Sequence, residues 1–142
     1  MSRRINIAMG RKSITILSSD HPTDSVVFVS DPVRVDQWYT SNSHIVTAAI
    51  SMTDFKGRVS IEASIKWRPT EEDWFPVFLG DRLYLDFPEC CGDHKTSTIS
   101  YNFKGRFVWL RTRVDKTHVI PTDALPAIVA SCGCVDRVLV NI

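Results

Sequence analysis

Apolar and polar residues alternate along residues 59–67, with Val59, Ile61, Ala63 and Ile65 on one side and Ser60, Glu62, Ser64 and Lys66 on the other. A pleated strand sends successive side chains to opposite faces, so this stretch predicts a strand with one buried face. Counting by twos puts Trp67 on the buried side as well. Residues 13–17 and 25–29 are also strand-like, separated by the turn-rich Ser18-Ser-Asp-His-Pro-Thr-Asp, and Ser30-Asp-Pro breaks the chain before Val33-Arg-Val. Further strands are predicted at 44–52, 82–86, 96–101, 106–114 and 135–141. Between them lie a Pro-bounded segment, 68–78, and a loop holding Cys90, Cys91 and Gly92. Only 122–131 suits a helix, and Pro126 limits it to about one turn. Many short strands with Pro and Gly turns indicate a sandwich or barrel. The expectation is an all-β, antiparallel β-sandwich of jelly-roll type, a single domain over 1–142 with 1–12 as an N-terminal arm.

Composition agrees. Val, Ile and Thr make up 38 residues, against 28 for Ala, Leu, Glu, Lys, Gln and Met. β-branched side chains suit a pleated sheet and lose rotamer freedom in a helix. Seventeen Lys and Arg against 16 Asp and Glu leave a net charge of +1, which removes the electrostatic argument for a nucleic-acid or membrane-surface partner. Residues 5–12 lack the apolar run of a signal peptide, and no stretch approaches the roughly 20 apolar residues of a membrane span. Synthesis and folding in a cytoplasm are expected.

One echo recurs: Phe55-Lys-Gly-Arg-Val and Phe103-Lys-Gly-Arg-Phe. Two copies are too few for a solenoid or propeller. The pair reads as two similar strand openings, with Gly57 and Gly105 supplying positive φ.

Catalytic signatures are missing from the sequence: there is no G-x-S-x-G, G-x-G-x-x-G, G-x-x-x-x-G-K or H-E-x-x-H. His21, His44, His94 and His118 are dispersed. Glu71, Glu72 and Asp73 beside Trp74 suggest a glycosidase pair, although consecutive carboxylates after Pro-Thr are more often a solvated turn. Cys90-Cys91-Gly-Asp-His94 and Cys132-Gly-Cys134 hold enough soft ligands for zinc, but vicinal and C-x-C spacings are poor for tetrahedral coordination. Free thiols are expected, with no metal and no cofactor.

Among the aromatic residues, Trp74, Phe75 and Trp109 are expected in the core. Trp38-Tyr39 lies in a polar loop and is the leading candidate for an exposed contact. The N-terminal arm carries Arg3, Arg4, Arg11 and Lys12 with alternating Ile5 and Ile7. It is suited either to adding as a strand to a neighbour's edge or to pairing within its own sheet. The candidate interface is therefore Arg3, Arg4, Ile5, Ile7, Trp38 and Tyr39.

Four pieces in order carry a resemblance: Phe55-Lys-Gly-Arg-Val-Ser-Ile-Glu-Ala-Ser-Ile, Pro69-Thr-Glu-Glu-Asp-Trp-Phe, Asn102-Phe-Lys-Gly-Arg-Phe-Val-Trp-Leu-Arg and Gly133-Cys-Val-Asp-Arg-Val-Leu-Val-Asn. Together, over residues 55–141, the chain resembles small β-sandwich structural proteins of contractile-tailed bacteriophages, including those of cyanobacteria. The segments 86–94, 119–131 and 1–40 lie outside the resemblance. It implies a non-catalytic virion protein of the tail, baseplate or neck, with other virion proteins and further copies of itself as partners, made in the host cytoplasm. The rival expectation is a glycan-binding sandwich module, and a weaker third is a small hydrolase.

Overall fold

The computed structural model of the chain describes residues 13–18, 26–38, 45–87, 96–117, 125–130 and 132–142. In these, the strands are β1 (Ser13–Leu17), β2 (Val27–Val29), β3 (Val33–Arg34), β4 (Ile45–Thr53), β5 (Gly57–Ser64), β6 (Phe75–Pro76), β7 (Leu85–Phe87), β8 (Thr96–Lys104), β9 (Trp109–Asp115) and β10 (Cys134–Asn141). A five-residue helix, α1 (Pro126–Ala130), has proline at its first position, where the missing N–H leaves no bond unmade. Pro126 thus opens the helix rather than dividing it.

Two antiparallel sheets form. One runs β1-β10-β4-β8; the other runs β2-β9-β5-β6, with β3 also on β9 and β7 also on β5. Moving outward from the middle of the chain, strands alternate between sheets, and the first pairs with the last. This is the jelly-roll order. β2 and β3 act as one strand split at Asp31-Pro32, since Ser30 N donates to Thr112 O and Val35 N to Val108 O on either side of the break.

The core lies between the sheets. Val46, Ala48, Ile50 and Met52 of β4 are buried in strict alternation. Across from them, β5 and β9 bury Ala63 opposite Leu110, Ile61 opposite Thr112 and Val59 opposite Val114. In β10 the buried residues are Val135, Val138 and Val140, and the break in simple alternation is a bulge between Val135 and Arg137. That bulge re-aims the strand so that all three valines face inward.

Both glycines of the echo take positive φ, 151° at Gly57 and 130° at Gly105, and the phenylalanine two residues before each is buried. Their contexts differ. Phe55 precedes β5, whereas Phe103-Lys104 ends β8 and Gly105 begins the connection to β9. A Cβ at Gly105 would strike the Phe107 ring.

Five expectations about single side chains are corrected. β5 ends at Ser64, whose Oγ accepts from Lys66 N at 3.2 Å, so the chain turns before the parity count reaches Ile65 and Trp67. They are 66% and 57% exposed. Trp109 stands on the outer face of its sheet, sharing parity with Arg111 and Arg113. Trp74 is half-buried and Phe75 exposed, because the 3-10 turn Glu71–Asp73 lays this segment over the sheet surface rather than between the layers.

Candidate functional site

On one side of the sandwich the sheets end in β8 and β6. Pro76 has no N–H to donate, and β6 is confined to Phe75 and Pro76, paired with Ala63 and Glu62. Beyond it, Val77 N donates to Ile61 O at 2.9 Å, and Leu79 and Arg82 close a tight turn. Gly80, at φ 67°, donates its N–H to Asn102 O at 2.9 Å. This turn therefore ties β8 of one sheet to the loop following β6 of the other.

Beside that tie lies a cleft of about 720 Å³ walled by Ile45, Phe75, Val77, Phe78, Phe103 and Phe107, with Asn102 and Lys104 contributing polar groups. Phe107 anchors it, its ring stacked 6.3 Å from Phe103 and edge-on to Phe75 at 5.7 Å. At the mouth Phe78 is 59% exposed, Ile45 41% and Phe75 37%. Clustered apolar exposure on this scale marks a contact surface more often than a solvated face. Its wall comes from three separated stretches of chain. The sequence signal for it is Phe75-Pro-Val-Phe78, an apolar run too interrupted by proline to read as a buried strand.

The outer face of the β5–β9 sheet carries a layer of guanidinium groups and rings. Arg111 Nε donates to Glu62 Oε1 at 2.7 Å, its Nη1 lies 3.2 Å from Glu71 Oε2, and its plane covers the Trp74 ring at 4.2 Å. Arg113 Nε donates to Glu62 Oε2 at 3.1 Å, and Trp109 Nε1 to Trp67 O at 3.1 Å. Arg34 lies 3.9 Å from the Trp67 ring centre and binds Asp36 at 2.7 Å, a bond that lowers the Asp36 pKa. Arg58 pairs with Asp86 at 2.8 Å and covers Tyr84 at 3.6 Å. Thr70 N donates to Asp73 Oδ2 at 2.7 Å, lowering that carboxyl's pKa and closing the 3-10 turn. The acidic cluster is thus a surface turn, with Glu71 reaching back to Arg111. Each of these arginines faces a carboxylate, so the layer is near neutral; Trp67 is its open ring.

Cys132 is buried and Cys134 partly buried, both as free thiols. Burial pushes the Cys134 thiol up to about 11, aided by its hydrogen bond to Asp136 Oδ1 at 3.0 Å. A thiol held protonated in this way is a poor nucleophile at neutral pH. Among the described residues, no cluster of three or more His, Cys, Asp and Glu side chains is placed to hold a metal. Cys90, Cys91 and the four histidines lie outside the described residues, as do Arg3, Arg4, Ile5, Ile7 and Tyr39 of the candidate interface. Trp38 is the last residue of the 3-10 turn Asp36–Trp38. The structure brings together a different contact surface, the phenylalanine cleft. No protein-family model, curated protein or solved structure matches the chain.

Proposed function

We propose that the chain is a non-catalytic structural subunit of a tailed-bacteriophage particle, in its tail, baseplate or neck, acting through contacts with other virion proteins. Two things support the reading: the ordered resemblance over residues 55–141, and the exposed phenylalanine cleft, which is the observation that carries it. Burying Phe78 and Ile45 under a partner contributes about 1.5 to 3 kcal/mol for each side chain fully covered. Aromatic anchors of this kind dominate interface energetics.

The test is Phe78→Asp. Its side chain is mostly in water, so the variant should keep the wild-type circular dichroism spectrum and melting temperature while being excluded from purified particles. Equal incorporation of the variant, or absence of the wild-type protein from particles by mass spectrometry, overturns the reading. A glycan-binding module is the second reading, favoured by the exposed Trp67 ring on its Arg34 support. It requires binding to a defined glycan that Trp67→Ala abolishes.

A further inference from the structure

Most sheet edges in this fold are guarded. β2 and β3 are short and split by Pro32, β6 contains Pro76, and β7 has Asp86 at its centre. Short length, proline and charge are the usual devices that keep an edge from pairing with another chain. β8 has none of them. It is nine residues long, pairs with β4 in an unbroken register from Thr96 opposite Thr53 to Lys104 opposite Ile45, and holds no proline and no charge before Lys104.

Backbone direction along β8 follows from one bond. In an antiparallel ladder, a residue points both its N–H and its C=O either at its partner strand or away from it, and the two orientations alternate. Asn102 O accepts from Gly80 N, which lies off the sheet, so residues of its parity point away from β4. Thr96, Thr98 and Ser100 therefore present their N–H and C=O groups outward, and none of them has a backbone partner on that side among the described residues. Asn102 is closed to further pairing by the Gly80 turn.

We infer that this edge pairs antiparallel with the same edge of a second copy, with Thr98 on the two-fold axis. Antiparallel self-pairing needs a register in which outward-pointing residues face one another. Centring on Thr98 matches Thr98 with Thr98 and Thr96 with Ser100, each pair exchanging both N–H···O=C bonds. Centring on Ser100 would need the carbonyl of Asn102, which Gly80 already holds. Charge favours the same partner: no charged residue of β8 falls within the paired stretch, so self-opposition brings no like charges together. The two four-stranded sheets then become one continuous sheet across the dimer. This pairing goes beyond the virion reading and does not depend on it, because it is a property of the isolated chain.

Sedimentation velocity over a concentration series tests it on the full chain. Wild type should show a reversible monomer–dimer equilibrium. Thr98→Pro removes an outward donor from both copies without touching a bond to β4, and should weaken association by at least about tenfold. Thr98→Cys is the second variant, which leaves the backbone intact. Facing residues of a hydrogen-bonded pair sit about 5.5 Å apart at Cα, within disulfide reach. Mild oxidation should therefore link Thr98→Cys into a dimer, while Lys104→Cys stays monomeric. Wild type that is monomeric at every concentration, a dimer unaffected by Thr98→Pro in a folded protein, or equal cross-linking at both cysteines overturns the inference.

Discussion

Glu62 faces Arg111 directly across the β5–β9 ladder and accepts from both Arg111 and Arg113. The side chains of Arg111 and Glu62 are 6% and 13% exposed. Glu62→Ala removes both acceptors at once. A hydrogen bond to a charged group contributes about 1.5 to 3 kcal/mol, and the Arg111 bond counts nearly in full because water scarcely reaches it. Arg113 is more exposed, so its bond adds less than about 1 kcal/mol. Arg111 keeps Glu71 at 3.2 Å, but that carboxylate is solvated and compensates weakly for the buried charge. The expected loss is about 2 to 4 kcal/mol. At roughly 3 °C per kcal/mol for a chain of this length, the melting temperature should fall by about 6 to 12 °C. The double variant Glu62→Ala with Arg111→Met should be more stable than Glu62→Ala alone, since it no longer strands a buried charge. Urea denaturation at fixed pH, read by linear extrapolation, measures both of these variants and Arg111→Met alone. A loss below about 1 kcal/mol for Glu62→Ala, or a double variant that loses the sum of its parts, refutes the argument.

Gly133→Ala should be far worse than Gly80→Ala, although φ is 73° at one and 67° at the other. A Cβ at Gly133 would collide with the carbonyls of Thr53 and Asp54, whereas at Gly80 it meets only Tyr101 Cδ1 at 3.6 Å. Denaturation midpoints should show a loss of more than about 3 kcal/mol against about 1 kcal/mol. Cys134 should resist alkylation near neutral pH while folded and react once urea unfolds the chain, as timed by mass spectrometry. Because folding raises this thiol from its ordinary value of 9.0 to about 11, the fold holds its proton more tightly than the unfolded chain does. The contribution is whole below about pH 9 and is lost as pH climbs through about 11, so Cys134→Ala should flatten that alkaline decline.

What the sequence made legible was whatever depends on local period. The alternation in β5 and the Val-Ile-Thr excess pointed to the sandwich, and Gly57 and Gly105 adopted the positive φ expected of them. Ring placement failed for a definite reason: parity predicts a face only while the strand continues, and β5 stops before Ile65. Trp109 did carry a readable signal, its shared parity with Arg111 and Arg113, which outweighs its apolar character. The Glu62–Arg111 pairing and the phenylalanine cleft depend on sheet register and on stretches far apart in the chain. No local pattern encodes the pairing, and Phe75-Pro-Val-Phe78 marks only one of the three stretches that wall the cleft.

β10 lies in the middle of its sheet, between β1 and β4, yet it is synthesised after both. During translation, β1 and β4 therefore emerge with no neighbour between them, and each exposes an unpaired edge until β10 arrives. Closing a ladder between residues as distant as Ser13 and Asn141 also carries the loop-closure cost that makes such topologies slow to fold. The sheet thus closes only once β10 has been made, and its most aggregation-exposed moment is the interval just before β10 is inserted.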